Sequence, residues 1–414
     1  MKWILPILVV GTTVLPPSTD GTKPWKRHTI DASDPDLGKK GADSVRISDL
    51  NRDGRPDIVT AWEDGDTIRV CLNPGKDKAK ALWPSVSVGR VKGATDAIFA
   101  DLDGDARVDV ISACEGTTET VFVHWAPASP QEFLISKEWK TEAIPCTEKM
   151  SDWMCLLAFD VDRDGDTDLI TGSKGEHGAV GWLINPGHNR ARDLKRWKWE
   201  KLATASSIMS IRDLDIDGDG HREITYSDRK GAKSGVYTMS HLNREPWIAA
   251  PVLLGFAGRE VRFIDLADLN GDGKLDIAAA IAPNDFGFLF QPPSLPFRTD
   301  WKEVSGSPID NRSAFGESNS VRIVDLDGDG KLSVVATCEH AGGGLSGAFR
   351  FPFQTAADQS VSAIDISGSK GAKFDRIELI DLDNDGDLDL LTCEESDGLG
   401  VFWYENPGKQ RITE

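Results

Sequence analysis

The chain has 414 residues and carries 47 Lys plus Arg against 67 Asp plus Glu, a net charge of −20. That balance excludes nucleic acid and anionic membrane surfaces as natural partners. With 40 Gly, 21 Pro, 13 Trp and an ordinary 8% aromatic content, it reads as a folded, turn-rich protein rather than an acidic disordered one.

The chain opens Met1-Lys2-Trp3-Ile4-Leu5-Pro6-Ile7-Leu8-Val9-Val10, one basic residue before a short apolar run. That run is too short to span a bilayer as a mature helix. Residues 1–21 are therefore expected to be a signal peptide, and residues 22–414 a single domain. Secretion or residence in the cell envelope follows, with no transmembrane segment in the mature chain. Six cysteines are present and none forms a C-x-x-C pair, which argues against zinc. Cys146 and Cys155 are the sequence-close pair that an oxidising compartment would allow to bridge. The other four lie in apolar runs and read as buried thiols.

A repeat then governs the whole chain. The first copy is Asp49-x-Asn51-x-Asp53-Gly54-x-x-Asp57. Copies follow at Asp101, Asp103, Asp105 and Asp109, and at Asp160, Asp162, Asp164 and Asp168. The fourth holds Asp215, Asp217, Asp219 and Glu223, although Asp213 offers a second possible start. The exit Glu223-Ile224-Thr225 matches the other copies and sets the start at Asp215. The fifth holds Asp268, Asn270, Asp272 and Asp276. The sixth holds Asp325, Asp327 and Asp329, with Ser333 in place of the last acid. The seventh holds Asp381, Asp383, Asp385 and Asp389. The copies recur roughly every 55 residues, the spacing of repeat architectures.

Each copy sits between apolar runs such as Val321-Arg322-Ile323-Val324 and Asp389-Leu390-Leu391-Thr392. A third run ends in a turn, as at Asn73-Pro74-Gly75, and a fourth often carries Trp: Trp83, Trp139, Trp199, Trp247 and Trp301. Four short strands with turns between them make one antiparallel sheet. The fold is expected to be all-β: a seven-bladed β-propeller of four-stranded antiparallel blades. The last copy lacks a fourth strand, and Trp25-Lys26-Arg27-His28-Thr29-Ile30 supplies one from the N-terminus. That strand should complete the last blade and close the ring.

Oxygen ligands at loop positions 1, 3, 5 and 9 converge when the chain turns tightly at position 6, where Gly permits a positive φ. Carboxylates at that density suit a hard cation and favour calcium, up to seven ions. Seven such ions would bring the net charge from −20 to −6. Position 12 is never Glu and a strand follows, so these are not EF-hands. Ala106 at position 6 of the second loop should strain its turn.

These residues resemble the FG-GAP/VCBS-type repeats of secreted and cell-surface proteins, whose loop also occurs in the integrin α-subunit propeller. The resemblance covers about residues 25–408. It implies a seven-bladed propeller with calcium in the hairpin between the first and second strands. The Phe-Gly and Gly-Ala-Pro signatures are nearly missing, with only Phe286-Gly287 and Phe315-Gly316 as hints.

The second strand of each blade should run to the face opposite these hairpins. Lys174, His177, Arg229, Lys230, Glu339 and His340 fall at its far end, beside Glu63, Glu115 and Glu395. Mouth loops of this kind are where ligands bind. Lys174, His177, Arg229, Lys230 and His340 could form a basic pocket for an anionic sugar or a carboxylate. Trp in the outer strands reads as blade-edge cover rather than a sugar platform. No G-x-S-x-G, H-E-x-x-H or phosphate-binding loop appears. Two functions remain: a calcium-binding module for a glycan or an extracellular protein, and a polysaccharide lyase-like enzyme using the histidine and basic residues.

Overall fold

The second run of each repeat is rich in apolar and small residues behind its opening polar position, and its strand is buried on both faces. Asp57–Trp62, Asp109–Cys114, Glu223–Asp228, Asp276–Ile281, Ser333–Glu339 and Asp389–Glu394 have no exposed residue. Outer strands alternate instead, as in Ser85–Gly89, where Val86 and Val88 are buried and their neighbours half-buried. A middle strand covered on both faces and an outer strand with period two are what a blade packed between two others requires.

The computed structural model describes residues 23–239, 250–293, 300–305, 309–354 and 360–408. The expected signal peptide and Trp247 lie outside them. The described strands form seven four-stranded antiparallel sheets in sequential order. Blade one, for instance, is Arg46–Ser48, Asp57–Trp62, Thr67–Cys71 and Ser85–Gly89. First strands of blades one to six pack on one another around the ring and so line its axis. No helix among the described residues is long and apolar enough to cross a membrane.

The seventh sheet joins the ends of the chain. Lys26–Asp31 pairs antiparallel with Gly400–Glu405, outside Asp389–Glu394 and Glu378–Ile380. Ile30 is fully buried, and His28 stacks on Trp403 at 4.7 Å and bonds Glu405 at 2.6 Å. Asp31 accepts from Arg69 Nε of blade one at 2.5 Å, tying the closed blade to its neighbour.

The apolar core is divided into seven wedges, each between two neighbouring blades. The wedge between blades seven and one contains Ile30, Val45, Trp62, Leu391 and Trp403. Closure therefore buries apolar surface of the same kind as every other joint. The outer-strand tryptophans belong to these wedges: Trp83, Trp139 and Trp301 are buried, and Trp139 Nε1 donates to Phe133 O at 2.9 Å.

All six cysteines are free thiols, Cys146 half-buried and the rest buried. Cys146 and Cys155 are not bridged, because Cys155 faces Gly172 in the wedge between blades three and four while Cys146 packs in the wedge between blades two and three. A thiol titration with Ellman's reagent should count six thiols in denaturant and at most one in the native protein. A count of four in denaturant would show a disulfide.

Candidate functional site

Each acidic loop joins the first and second strands of its blade, and position 9 opens the second strand in all seven. The same hydrogen bonds recur in every copy. The position 6 amide donates to the position 1 carboxylate, as from Gly54 to Asp49, Gly165 to Asp160 and Gly386 to Asp381. The position 7 amide donates to the position 5 carboxylate, as from Arg55 to Asp53 and His221 to Asp219. Position 6 has a positive φ throughout, including 69° at Ala106, so the strain expected there is present. Position 4 is left-handed as well, which falls on non-glycine residues at Arg52, Arg163 and Asn384.

The fourth loop begins at Asp215, as its exit strand implied. Gly220 donates to Asp215, while Asp213 pairs with Arg222 outside the loop.

Position 9 has a role beyond ligation. Asp57 accepts from the amides of Leu50 and Asn73, and Asn73 belongs to the Asn-Pro-Gly turn after the third strand. Asp168 and Asp389 repeat the arrangement with Asn185 and Asn406. The turn read from sequence as punctuation is thus docked onto the loop. Burial pushes Asp57 up to about 6 and Asp109, Asp168, Glu223 and Asp389 up to about 7, with the other loop carboxylates adding to it. A raised carboxylate costs stability when ionised, and a divalent cation would remove that cost.

The donor set fits such an ion. In four loops three carboxylates lie within 4.8 Å of one another: Asp101, Asp103 and Asp105; Asp160, Asp162 and Asp168; Asp215, Asp217 and Glu223; Asp381, Asp383 and Asp385. Buried oxygens of Asp101, Asp109, Asp215 and Asp383 have no hydrogen-bond partner. Basic side chains approach some loops: Arg192 reaches Asp103 and Asp105, Lys80 reaches Asp383 and Arg350 reaches Asp327. Among the described residues no Lys or Arg pairs with the triads of loops three and four, which are the least encumbered.

The opposite ends of these strands meet at a cavity. In blade three Phe159 pairs with Asp168 at the loop end and Asp152 with Lys174 at the other. Six residue steps along the second strand separate the two, about 20 Å. The cavity has a volume of about 160 Å³ and every blade contributes to its wall. Asp43, Thr95, Met154, Met209 and Asp375 stand six residues before loop position 1, on or next to the first strands. Glu63, Glu115, Lys174, Arg229, Lys230 and Glu339 come from the far ends of the second strands.

Four of the six residues singled out from sequence, Lys174, Arg229, Lys230 and Glu339, thus line one cavity. His177 and His340 do not. His340 is exposed and approaches Glu317 at 3.4 Å, and His177 meets Ser151 only through its backbone carbonyl. The wall is of mixed charge rather than basic. Lys174 pairs with Glu115, Arg229 with Glu260 at 2.7 Å, and Glu339 with Arg262 at 3.3 Å. Lys373 pairs with Asp43 at 3.6 Å and with Glu395. Sequence reasoning missed the first-strand residues and Lys373. Their shared offset from the loops was a usable signal, but their residue types vary from blade to blade.

Glu63 is pushed up to about 7, first by burial and then by Glu115 and Glu395, with Lys373 opposing. The folded state therefore holds this proton to higher pH than the unfolded chain does. Its contribution falls as pH rises from about 4.5 through 7. Glu63→Gln should flatten that decline and raise stability at pH 8 by roughly 1–2 kcal/mol. Urea unfolding at pH 5 and pH 8 would check it. An unchanged pH slope would remove Glu63 as the cause.

Residues 49–112 match the model of the FG-GAP-like repeat family. No curated protein matches the chain in sequence. Among solved structures, BBS1N in complex with ARL6DN, soaked with lead, aligns at a TM-score of 0.52 with 11% identity. The alignment covers 93% of this chain and 99% of that one. The same complex soaked with mercury aligns at 0.50, again with 11% identity, 93% and 99% coverage. This likeness is one of fold.

Proposed function

We propose that this FG-GAP-like repeat propeller is a secreted, calcium-binding recognition module that holds a polar group of a glycan or extracellular protein in its axial cavity. The observation that carries the reading is the cavity wall, to which all seven blades contribute side chains. A site assembled from every repeat unit is rigid, since no blade can move without disturbing its neighbours. Its mouth is polar and open on the face away from the acidic loops, which leaves those loops free for calcium. The propeller fold supports binding in general rather than one chemistry.

The test is a glycan array and an extracellular-protein panel probed with the calcium-loaded chain, reading bound partner and released unsaturated sugar together. Lys230→Glu changes an exposed wall residue and should reduce binding at least tenfold. Retained binding by that variant would place the site elsewhere. Released unsaturated product would establish the lyase-like alternative, for which no histidine lines this cavity among the described residues.

A further inference from the structure

One buried cation in the cavity wall has two nitrogens without a hydrogen-bond acceptor. Arg376 is only 4% exposed, yet its Nε and Nη1 have no hydrogen-bond acceptor. Its guanidinium lies 5.2 Å from the centre of the Phe263 ring. The nearest acid is Asp96, whose Oδ2 is 3.9 Å away, too far for a hydrogen bond. Asp96 is already committed: it receives Arg46 at 2.8 and 3.2 Å and the Leu156 amide at 3.1 Å.

The next residue is an acceptor in the same state. Asp375 is 6% exposed, lines the cavity beside the Asp43 carboxyl, and its Oδ2 accepts no hydrogen bond. Its other oxygen is 3.4 Å from Asn319 Nδ2. Lys174, Arg229, Glu339 and Lys373 are paired and Lys230 is exposed at the mouth, so the buried part of the wall offers a donor at Arg376 and an acceptor at the next residue, Asp375. Leaving both unmet is costly, and a ligand that meets both recovers that cost.

Resting on the reading of this cavity as the binding site, we propose that it takes a sugar acid, with the carboxylate on Arg376 and an adjacent hydroxyl donating to Asp375. A carboxylate receives charge-assisted bonds from the guanidinium in a dry setting. The second group is a hydroxyl, a neutral donor that suits a wall of mixed charge. Lys373 sits among Asp43 and Glu395, and Lys174, Arg229 and Lys230 complete the mouth. The net charge of −20 repels a polyanion only at long range, where salt screens it.

Isothermal titration of the calcium-loaded full chain tests this with three probes: D-glucuronate, D-glucose and glycine. Glucuronate should bind at least tenfold more tightly than either of the others. Glucose lacks the carboxylate, and glycine carries an ammonium in place of the hydroxyl. Arg376→Gln should lose that binding at least tenfold while melting no lower than the parent, because it removes a buried unpaired charge. A lower melting point for Arg376→Gln would make Arg376 a structural residue and overturn the proposal. Asp375→Asn is isosteric and should also weaken glucuronate binding. Equal affinity for glucose and glucuronate, or tighter binding of glycine, would also overturn it. A neutral glycan or peptide held in the cavity and released by Lys230→Glu would leave the recognition module standing and this inference refuted. If no sugar or peptide is held there, both fail.

Discussion

Chelating calcium should lower the thermal midpoint by roughly 10–20 °C. Four loops gather three carboxylates within 4.8 Å, and several of their buried oxygens lack any partner. A site at one hundred times its dissociation constant contributes about 2.7 kcal/mol, so four together supply about 11 kcal/mol. A chain of this size gains about 1–2 °C per kcal/mol. The effect should reverse on adding calcium and be weaker with magnesium, which demands a tighter octahedral cage. Loops three and four should fill first, since no Lys or Arg competes for their triads. Asp160→Asn and Asp215→Asn should each lower the ion count by one in native mass spectrometry. Differential scanning calorimetry with and without EGTA is the deciding measurement, and an unchanged midpoint would sink the calcium reading.

Deleting residues 23–31 should abolish the soluble monomer. Ile30 is fully buried and Trp25 nearly so, and both leave cavities in different wedges. Gly400–Glu405 would become an exposed edge with unpaired backbone groups, which invites edge-to-edge association. Arg69 would lose its buried acid, a loss comparable to breaking a buried ion pair, about 3–5 kcal/mol. The milder Ile30→Ala should cost about 2–5 kcal/mol and remain foldable. Size-exclusion chromatography and urea unfolding would check both. A deletion variant that stays monomeric with its original midpoint would show that the strand does not close the ring.

Much of the architecture is written in the repeat itself. Acids at positions 1, 3, 5 and 9, a turn at position 6 and apolar runs on both sides fix strand, hairpin and strand in every copy. Even the ambiguous fourth loop resolves, because Glu223-Ile224-Thr225 must enter a buried second strand. The axial cavity was harder to see. Asp43, Thr95, Met154, Met209 and Asp375 share a position but not a chemistry, so no periodic residue type announces them. Lys174 and Arg229 were found, but their acids Glu115 and Glu260 come from neighbouring blades, and pairing across blades leaves no local trace. The same holds for Arg192, which crosses to Asp103 of the preceding blade.

The pairing of His28 with Glu405 spans 377 positions of sequence. During synthesis residues 26–31 must wait for residues 400–405. Six blades can assemble from local hairpins as they emerge, but the seventh joint forms only once residues 400–405 have been made. Until then two apolar wedge faces stand open, and loop closure over almost the whole chain adds its entropic cost to the final step. Refolding should therefore show fast recovery of strand content followed by a slow phase in which the fluorescence of Trp403, beneath His28, reaches its native value. The same late joint makes the nascent chain most prone to associate with its neighbours just before residues 400–405 pair with residues 26–31.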